Sequence, residues 1–441
     1  MPISPSNAVT NQLTDLVMLR FLVNAPYLTV GSKKYFSDQL VGKRNGVKYQ
    51  FVVRDAGKVY NSLAHTDDGT AAGNVEAKNT VIEKAVEMQL EPWHIMVSTG
   101  AVEAVTDLRW DDEVAKPNGA KLANGVIRNT VKKNFPAAAT AVFGEGFQPL
   151  AEAGAALEEI SSEKVFGFVD AKYQAILTAN GQQFQPVGSP DKFYANGLLG
   201  TFHNVEYRAQ RFLPKIKMDA SVKTAIEGAS EASIETCDVT RSNCKYMLQL
   251  TVASGQYAVK AGTPIAVDGL FACDLIGDVT NSPFYFIVGE DVPAAGSAST
   301  TLKLPIGNVF YSSVAESGTR IFAKEDGSGF TGDINAAYST AGSVNALLYS
   351  KTSGHKVSIP LEADATYFCG QLRLDGAMEF ETLNKLDASN ADTKVGNVEG
   401  FTMFENRVVD LDLMTNDTRW DVITLAGIID PRAVINVYTK A

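Results

Sequence analysis

Histidines, cysteines and one run of acids are the residues of this chain whose types are best suited to chemistry. His65, His94, His203 and His355 stand far apart, and none has a cysteine or carboxylate at the short spacing that presents two ligands to one zinc ion. Cys237 and Cys244 could close a small loop or hold a soft metal, yet no second pair follows. Together with Cys273 and Cys369 they are too few and too scattered for a disulfide framework in 441 residues, so free thiols are expected. Asp410, Asp412, Asn416, Asp417 and Asp421 resemble an oxygen-rich calcium cluster. However, Val409-Asp410-Leu411-Asp412-Leu413 alternates strictly, as the outer face of a strand does, and no calcium-loop glycine turn follows. Gly327-Ser-Gly329-Phe-Thr-Gly332 has the spacing of a dinucleotide loop but follows Ala-Lys-Glu-Asp rather than a buried strand. There is no Gly-x-Ser-x-Gly elbow and no phosphate loop ending in Gly-Lys-Ser/Thr. The residues therefore predict no catalytic site, no cofactor and no metal, and the chain is not expected to be an enzyme.

Lys plus Arg number 39 against 50 Asp plus Glu, a formal charge of −11. Such a surface as a whole repels polyanions, which argues against tight nucleic-acid binding. Hydrophobic residues at 45% and charged ones at 20% describe a folded globular chain rather than a disordered or membrane one. The apolar run Leu16–Val23 is interrupted by Arg20 and is too short for a bilayer, and Met1-Pro-Ile-Ser-Pro lacks a basic secretory start. An intracellular product without a targeting segment is expected, long enough for two or three domains.

The stretch Trp110–Gly144 is the clearest long helix in a strand-rich sequence. Asp111 and Asp112 offer N-cap oxygens, and Pro117 suits a first turn, where its missing N–H goes unnoticed. Leu122, Val126 and Val131, with Ala123, Ile127 and Thr130 beside them, form one apolar stripe. Lys132 and Lys133 suit the negative end of the helix dipole, and Pro136 stops it.

Around that helix the pattern predicts an N-terminal arm with a small helix, poor in core residues. Two strands, Gly46–Val53 and Val81–Leu90, follow as an extended hairpin whose far end, Ala56–Val75, has only Val59, Tyr60 and Leu63 as apolar anchors. Next come a strand at His94–Thr99, helices at Leu150–Ile160 and Ala171–Ala179, and strands at Val165–Val169 and Val205–Tyr207. From about 222 to 352, short β-rich runs between Gly, Pro, Asn and Ser clusters predict a separate inserted sandwich or barrel. The return segment carries strands at Lys356–Ile359, Ala365–Leu374, Phe401–Leu413, Trp420–Leu425 and Ala433–Tyr438, with a polar stretch at Asp387–Gly400. The whole reads as α+β.

Three stretches, in order, resemble one family. Lys121-Leu122-Ala123-Asn124-Gly125-Val126 is similar to a Lys-Leu-Ala-Asn-Asn-Val run, and Gly262-Thr-Pro-Ile-Ala-Val-Asp-Gly269 to a Gly-Asp-x-Ile-x-Ile-x-Gly run with two strands behind it. Arg407-Val408-Val409-Asp410-Leu411-Asp412, Asn416-Asp417 and Arg419-Trp420-Asp421-Val422 resemble a C-terminal pattern of Arg-Val-Val, Tyr-Asp-Ile, Asn-Asp and Arg-Leu-Asp-Val. The family is that of the major capsid (coat) proteins of tailed bacteriophages, in the Lederbergvirus-type branch with an inserted domain. Leu411 stands where that family has tyrosine and Trp420 where it has leucine.

The resemblance implies an HK97-type capsid fold: N-terminal arm (1–30), extended loop and flanking strands (31–100), spine helix and axial segment (101–221), inserted small β-barrel (222–352), and a return to the axial and peripheral domains (353–441). It implies a structural subunit of an icosahedral shell around double-stranded DNA, made in the host cytoplasm and found in the virion. Its partners would be copies of itself in hexamers and pentamers, a scaffolding protein, a portal, and DNA held without sequence-specific binding or any membrane. On that reading Arg54, Lys58, Tyr60, Asp67 and Asp68 of the hairpin are intersubunit contacts. The competing expectations are an accessory virion or carbohydrate-binding β protein, and an unrecognised hydrolase.

Overall fold

The computed structural model describes residues 6–33, 48–54, 83–100, 111–179, 198–202, 205–236, 246–275, 279–307, 321–324, 346–350, 356–383, 394–410 and 415–441. Helix α1 (Ser6–Val23) and the single turn α2 (Pro26–Thr29) lead into β1 (Ser32–Lys33). Strands β2 (Lys48–Arg54) and β3 (Glu83–Gln89) pair only with each other, and β3 runs across Leu90 into β4 (Glu91–Gly100). The long helix α3 (Lys116–Asn134) lies between a π-helical turn at Asp111–Ala115 and a 3-10 turn at Phe135–Ala137. After it come β5 (Thr140–Gly144), α4 (Gln148–Ile160), β6 (Val165–Asp170), α5 (Ala171–Ala179), β7 (Leu198–Phe202), β8 (Val205–Gln210), β9 (Lys215–Lys217) and α6 (Ala220–Glu227). Strands then dominate: β10 (Glu231–Thr236), β11 (Tyr246–Gly255), β12 (Pro264–Cys273), β13 (Val279–Ile287), β14 (Ser299–Ile306), β15 (Phe322–Lys324) and β16 (Ala346–Ser350). The described chain closes on β17 (Val357–Ser358), β18 (Thr366–Leu374), β19 (Met378–Thr382), β20 (Lys394–Val398), β21 (Phe401–Asp410), β22 (Thr415–Ile428) and β23 (Val434–Lys440).

Among the described residues these strands make two larger sheets, two smaller ones and the separate β2–β3 ribbon, an α+β architecture. One mixed sheet runs β5-β23-β18-β6-β8-β7, with β9 also on β18, and helices α4 and α5 pack against it. A second runs β1-β19-β22-β21-β20, with β4 along the N-terminal part of β22. The region from β10 to β17 holds the sheets β14-β11-β10-β16 and β13-β12-β15, the latter with β17 on β12. This region is joined to the first sheet by aromatic contact: Phe143 stacks on Tyr438 (5.0 Å) and meets Tyr285 edge-on (5.2 Å), while the Tyr438 hydroxyl donates to the Gly262 carbonyl (2.8 Å).

Helix α3 buries the apolar stripe that its periodicity predicts, Leu122, Ala123, Val126, Ile127, Thr130 and Val131. Its start differs from expectation. The N-cap position is Ala115 rather than Asp111 or Asp112, because the preceding π-helical turn delivers it already in helical geometry, and the Asn118 amide donates to the Val114 carbonyl (2.7 Å). The N-terminal segment also departs from the sequence reading. Val17, Met18, Phe21, Leu22, Ala25, Tyr27 and Leu28 are all buried, so α1 and α2 belong to this chain's own core. Gly119 permits the approach, since a Cβ there would lie 2.7 Å from the Val17 carbonyl oxygen.

The junction between the two large sheets is polar and fully buried. Arg373 on β18 lies between the rings of Tyr27 (5.0 Å) and Phe168 (4.5 Å) and donates to the carbonyls of Tyr27 (2.7 Å) and Val30 (2.5 Å). The Tyr27 hydroxyl donates to Gln371 (2.7 Å), whose amide reaches the Asn134 carbonyl (3.2 Å) and the Asn436 side chain (3.0 Å). Asn436 in turn donates to the Phe135 carbonyl (2.7 Å), so the last carbonyls of α3, which lack helical partners, are satisfied here. Burial pulls the Arg373 pKa down to about 10 and pushes the Tyr27 phenol up to about 12.

Candidate assembly surface

Ribbon β2–β3 is in uninterrupted antiparallel register from Lys48 opposite Gln89 to Arg54 opposite Glu83. Among the described residues neither strand pairs with a third. Arg54, the last residue of β2, is the one predicted contact residue within the described chain; Lys58, Tyr60, Asp67 and Asp68 lie outside it.

Strand β4 continues the line of β3 along one edge of β22, in register from Gly100 opposite Thr415 to Glu91 opposite Thr424. Its inner residues Glu91, Trp93, Ile95 and Val97 are half-buried, and Glu91 accepts from Lys133 and Asn129 of α3. Its outer residues Pro92, His94, Met96 and Ser98 are exposed, Met96 at 62%. Register carries this side across the sheet: His94, Asp421, Phe404 and Val395 form one row, in which Phe404 is buried, and Met96, Arg419 and Asn406 the next. Asp421 accepts from Arg419 (2.7 Å) and from the Asn406 amide (3.2 Å), and Val395 is 52% exposed at the far edge. The opposite face of the sheet is closed by α1, where Glu405 accepts from Thr14 and from the Trp420 indole (3.2 Å). A flat face with an open strand edge and scattered apolar side chains suits docking of another polypeptide; it holds no cleft of convergent nucleophile, acid and base.

His94 is exposed on β4, and Asp421 and Asp417 lie on β22; Asp410 is the last residue of β21 and Asn416 the second of β22. Among the described residues no group of three or more His, Cys, Asp or Glu is placed to hold a metal. Cys273 and Cys369 are buried free thiols, and burial drives the Cys369 thiol pKa well up. His65, His203, His355, Cys237, Cys244, Asp412 and Gly327–Gly332 lie outside the described residues. Among the described residues no helix is long and apolar enough to cross a membrane.

No family model matches the sequence, and no curated protein does. Among solved structures the chain is similar to one titled "Mycobacterium phage Che8", at 8% identity over 93% of this chain and 90% of that one, with a TM-score of 0.39. It is likewise similar to the head structure of Helicobacter pylori bacteriophage KHP40, at 8% identity over 91% and 85%, TM-score 0.38. A virus-like particle from Pyrococcus furiosus aligns at 6% identity over 96% and 97%, TM-score 0.31.

Proposed function

We propose that this chain is the structural subunit of an icosahedral capsid shell that encloses double-stranded phage DNA, built on an HK97-type fold with α3 as its spine helix. The observation that carries the reading is the β2–β3 ribbon. A two-stranded ribbon is at best marginally stable alone in water, and among the described residues this one pairs with no third strand. β3 and β4 are one nearly continuous strand, so the ribbon is an extension of the strand that borders β22. A neighbouring copy is then the surface that covers it, and a head-to-tail contact of this kind closes into rings.

The three stretches that resemble the coat-protein family support the same reading by their positions: on α3, on β12, and on the paired strands β21 and β22. The segment from about 222 to 352 is the inserted β domain, and Arg54, Lys58, Tyr60, Asp67 and Asp68 contact the neighbour. Copies of the chain assemble as hexamers and pentamers with a scaffolding protein and a portal, in the host cytoplasm, and the product resides in the virion. Negative-stain microscopy of the expressed chain, alone and with the scaffolding protein, tests this directly. Closed shells of uniform size are expected; monomers or small oligomers under both conditions would overturn it.

A further inference from the structure

Helix α3 is the exception to the acidic character of the protein. Its segment Lys116–Asn134 contains Lys116, Lys121, Arg128, Lys132 and Lys133 and no acid, in a chain of net charge −11. Lys133 turns toward Glu91, and Lys116 sits at the end next to Asp111-Asp112-Glu113. Lys121, Arg128 and Lys132 are different. At 100° per residue they fall within about 40° of arc, a row about 16 Å long on one rigid helix. All three are exposed, and among the described residues none of them has an ion-pair partner. Asp291 is within electrostatic reach of Lys132 but is paired with Lys260 (3.2 Å). The row lies diametrically across the helix from Gly119, where α1 packs, so neither α1 nor the exposed Leu19 and Val23 borders it.

We infer that the row Lys121, Arg128 and Lys132 is a contact surface for the phosphate backbone of duplex DNA. The inference rests on the capsid reading, in which the chain lines a container of packed duplex. The chemistry favours phosphate over an acidic protein because the exposed arc offers cations, Asn124 and Pro117 but no apolar anchor. Protein partners are held chiefly by desolvated clusters of Trp, Tyr and Arg, of which this row has Arg128 alone, whereas non-specific binding of duplex DNA comes essentially from neutralising its phosphates. The contact is weak and blind to sequence, since three charges must act against the field of an acidic subunit. Many copies in a shell would make it collectively strong while each remains easily released.

The test measures binding of the full-length subunit to a short DNA duplex of random sequence, as a function of salt, for the wild type and for Lys121→Gln/Arg128→Gln/Lys132→Gln. Exposed side chains are changed, so an unmoved melting temperature is the fold control; if the triple variant does not fold, the three single variants replace it. Loss of three phosphate contacts lowers the slope of log K against log salt by about 2.7, and each single change lowers it by about 0.9. No binding by the wild type at low salt, or an unchanged slope, overturns the inference. So does the converse pattern, in which polyglutamate binding is lost in the variant and duplex binding is kept, since the row would then serve an acidic protein. Shells scored by microscopy on the same preparations separate the two claims. Shells with an unchanged slope remove this inference and leave the capsid reading; a changed slope without shells does the reverse.

Discussion

Arg373 is a single side chain that three parts of the chain share: it hangs on the carbonyls of Tyr27 and Val30, lies against Phe168, and sits on the strand next to Asn436. Arg373→Ala leaves two buried carbonyls without donors and a cavity between two rings, a loss of about 3 kcal/mol or more in a urea unfolding titration of the subunit. Arg373→Met keeps most of the volume and removes a buried charge, so its midpoint should fall between those of wild type and alanine. Equal midpoints for the two variants would show that packing, and not the hydrogen bonds, holds this junction. The surrounding phenols make the same point through pH. Burial pushes Tyr27 up to about 12 and raises Tyr173, Tyr207 and Tyr438 as well, so the folded chain keeps protons that the unfolded chain releases near pH 10. That contribution is intact below pH 10 and is lost above it; Arg373, pulled down to about 10, acts with the opposite sign. With Tyr285 and the buried Cys369 thiol shifted the same way, these groups outweigh the one guanidinium, so stability falls as pH rises above 10, measurable as a falling urea midpoint. A flat profile there would mean that water reaches the rings. None of this network is legible in the sequence, because Gln371, Arg373 and Asn436 look like ordinary strand polar residues until β18 and β23 pair.

Helix α3 shows what periodicity can and cannot deliver at the scale of an element. The apolar stripe and the stop at Pro136 follow from spacing alone, but the close packing of α1 on Gly119 does not, because α1 carries only a short amphipathic pattern. The two glycines of the helix should therefore answer oppositely to alanine. Gly119→Ala places a methyl 2.7 Å from a backbone oxygen and should destabilise by about 1–3 kcal/mol. Gly125→Ala meets only the edge of Trp93 at 3.9 Å and should stabilise by about 0.5–1 kcal/mol through helix propensity. Gly125→Pro removes an interior hydrogen bond and costs about 3 kcal/mol or more. Thermal melts of the three variants check the order; alanine effects of the same sign would place α1 wrongly. Strands β19 and β20 escaped the sequence reading for a different reason. Glu379 and Glu381 are buried in β19, which lies between β1 and β22, and β20, with Val395 and Val398 as its apolar residues, falls within the stretch read only as polar. In β19, Met-Glu-Phe-Glu-Thr does alternate, but over only five residues, and its two glutamates read as a solvent face although both are buried.

On the scale of the whole molecule, the hairpin is where sequence and structure speak to different halves of one question. Its two strands were legible from alternation, and their register is as an extended hairpin requires; the far end, with Val59, Tyr60 and Leu63 as its anchors, lies outside the described residues. Such a tip cannot offset its ordering entropy through a core of its own, and charge pairs made by Arg54, Lys58, Asp67 and Asp68 at an exposed interface are worth only about 0–1 kcal/mol each. Their effect must come from repetition around a closed shell and from the apolar anchors. Replacing Lys58–Gly73 by a short Gly-Ser turn leaves β2, β3 and every described core residue unchanged. The melting temperature of the isolated subunit should then move little, while closed shells give way to monomers or irregular aggregates in the microscope. Normal shells from the deletion would remove the hairpin's role as an intersubunit clamp. A collapsed subunit with a lowered melting temperature would instead assign the segment to the subunit's own core.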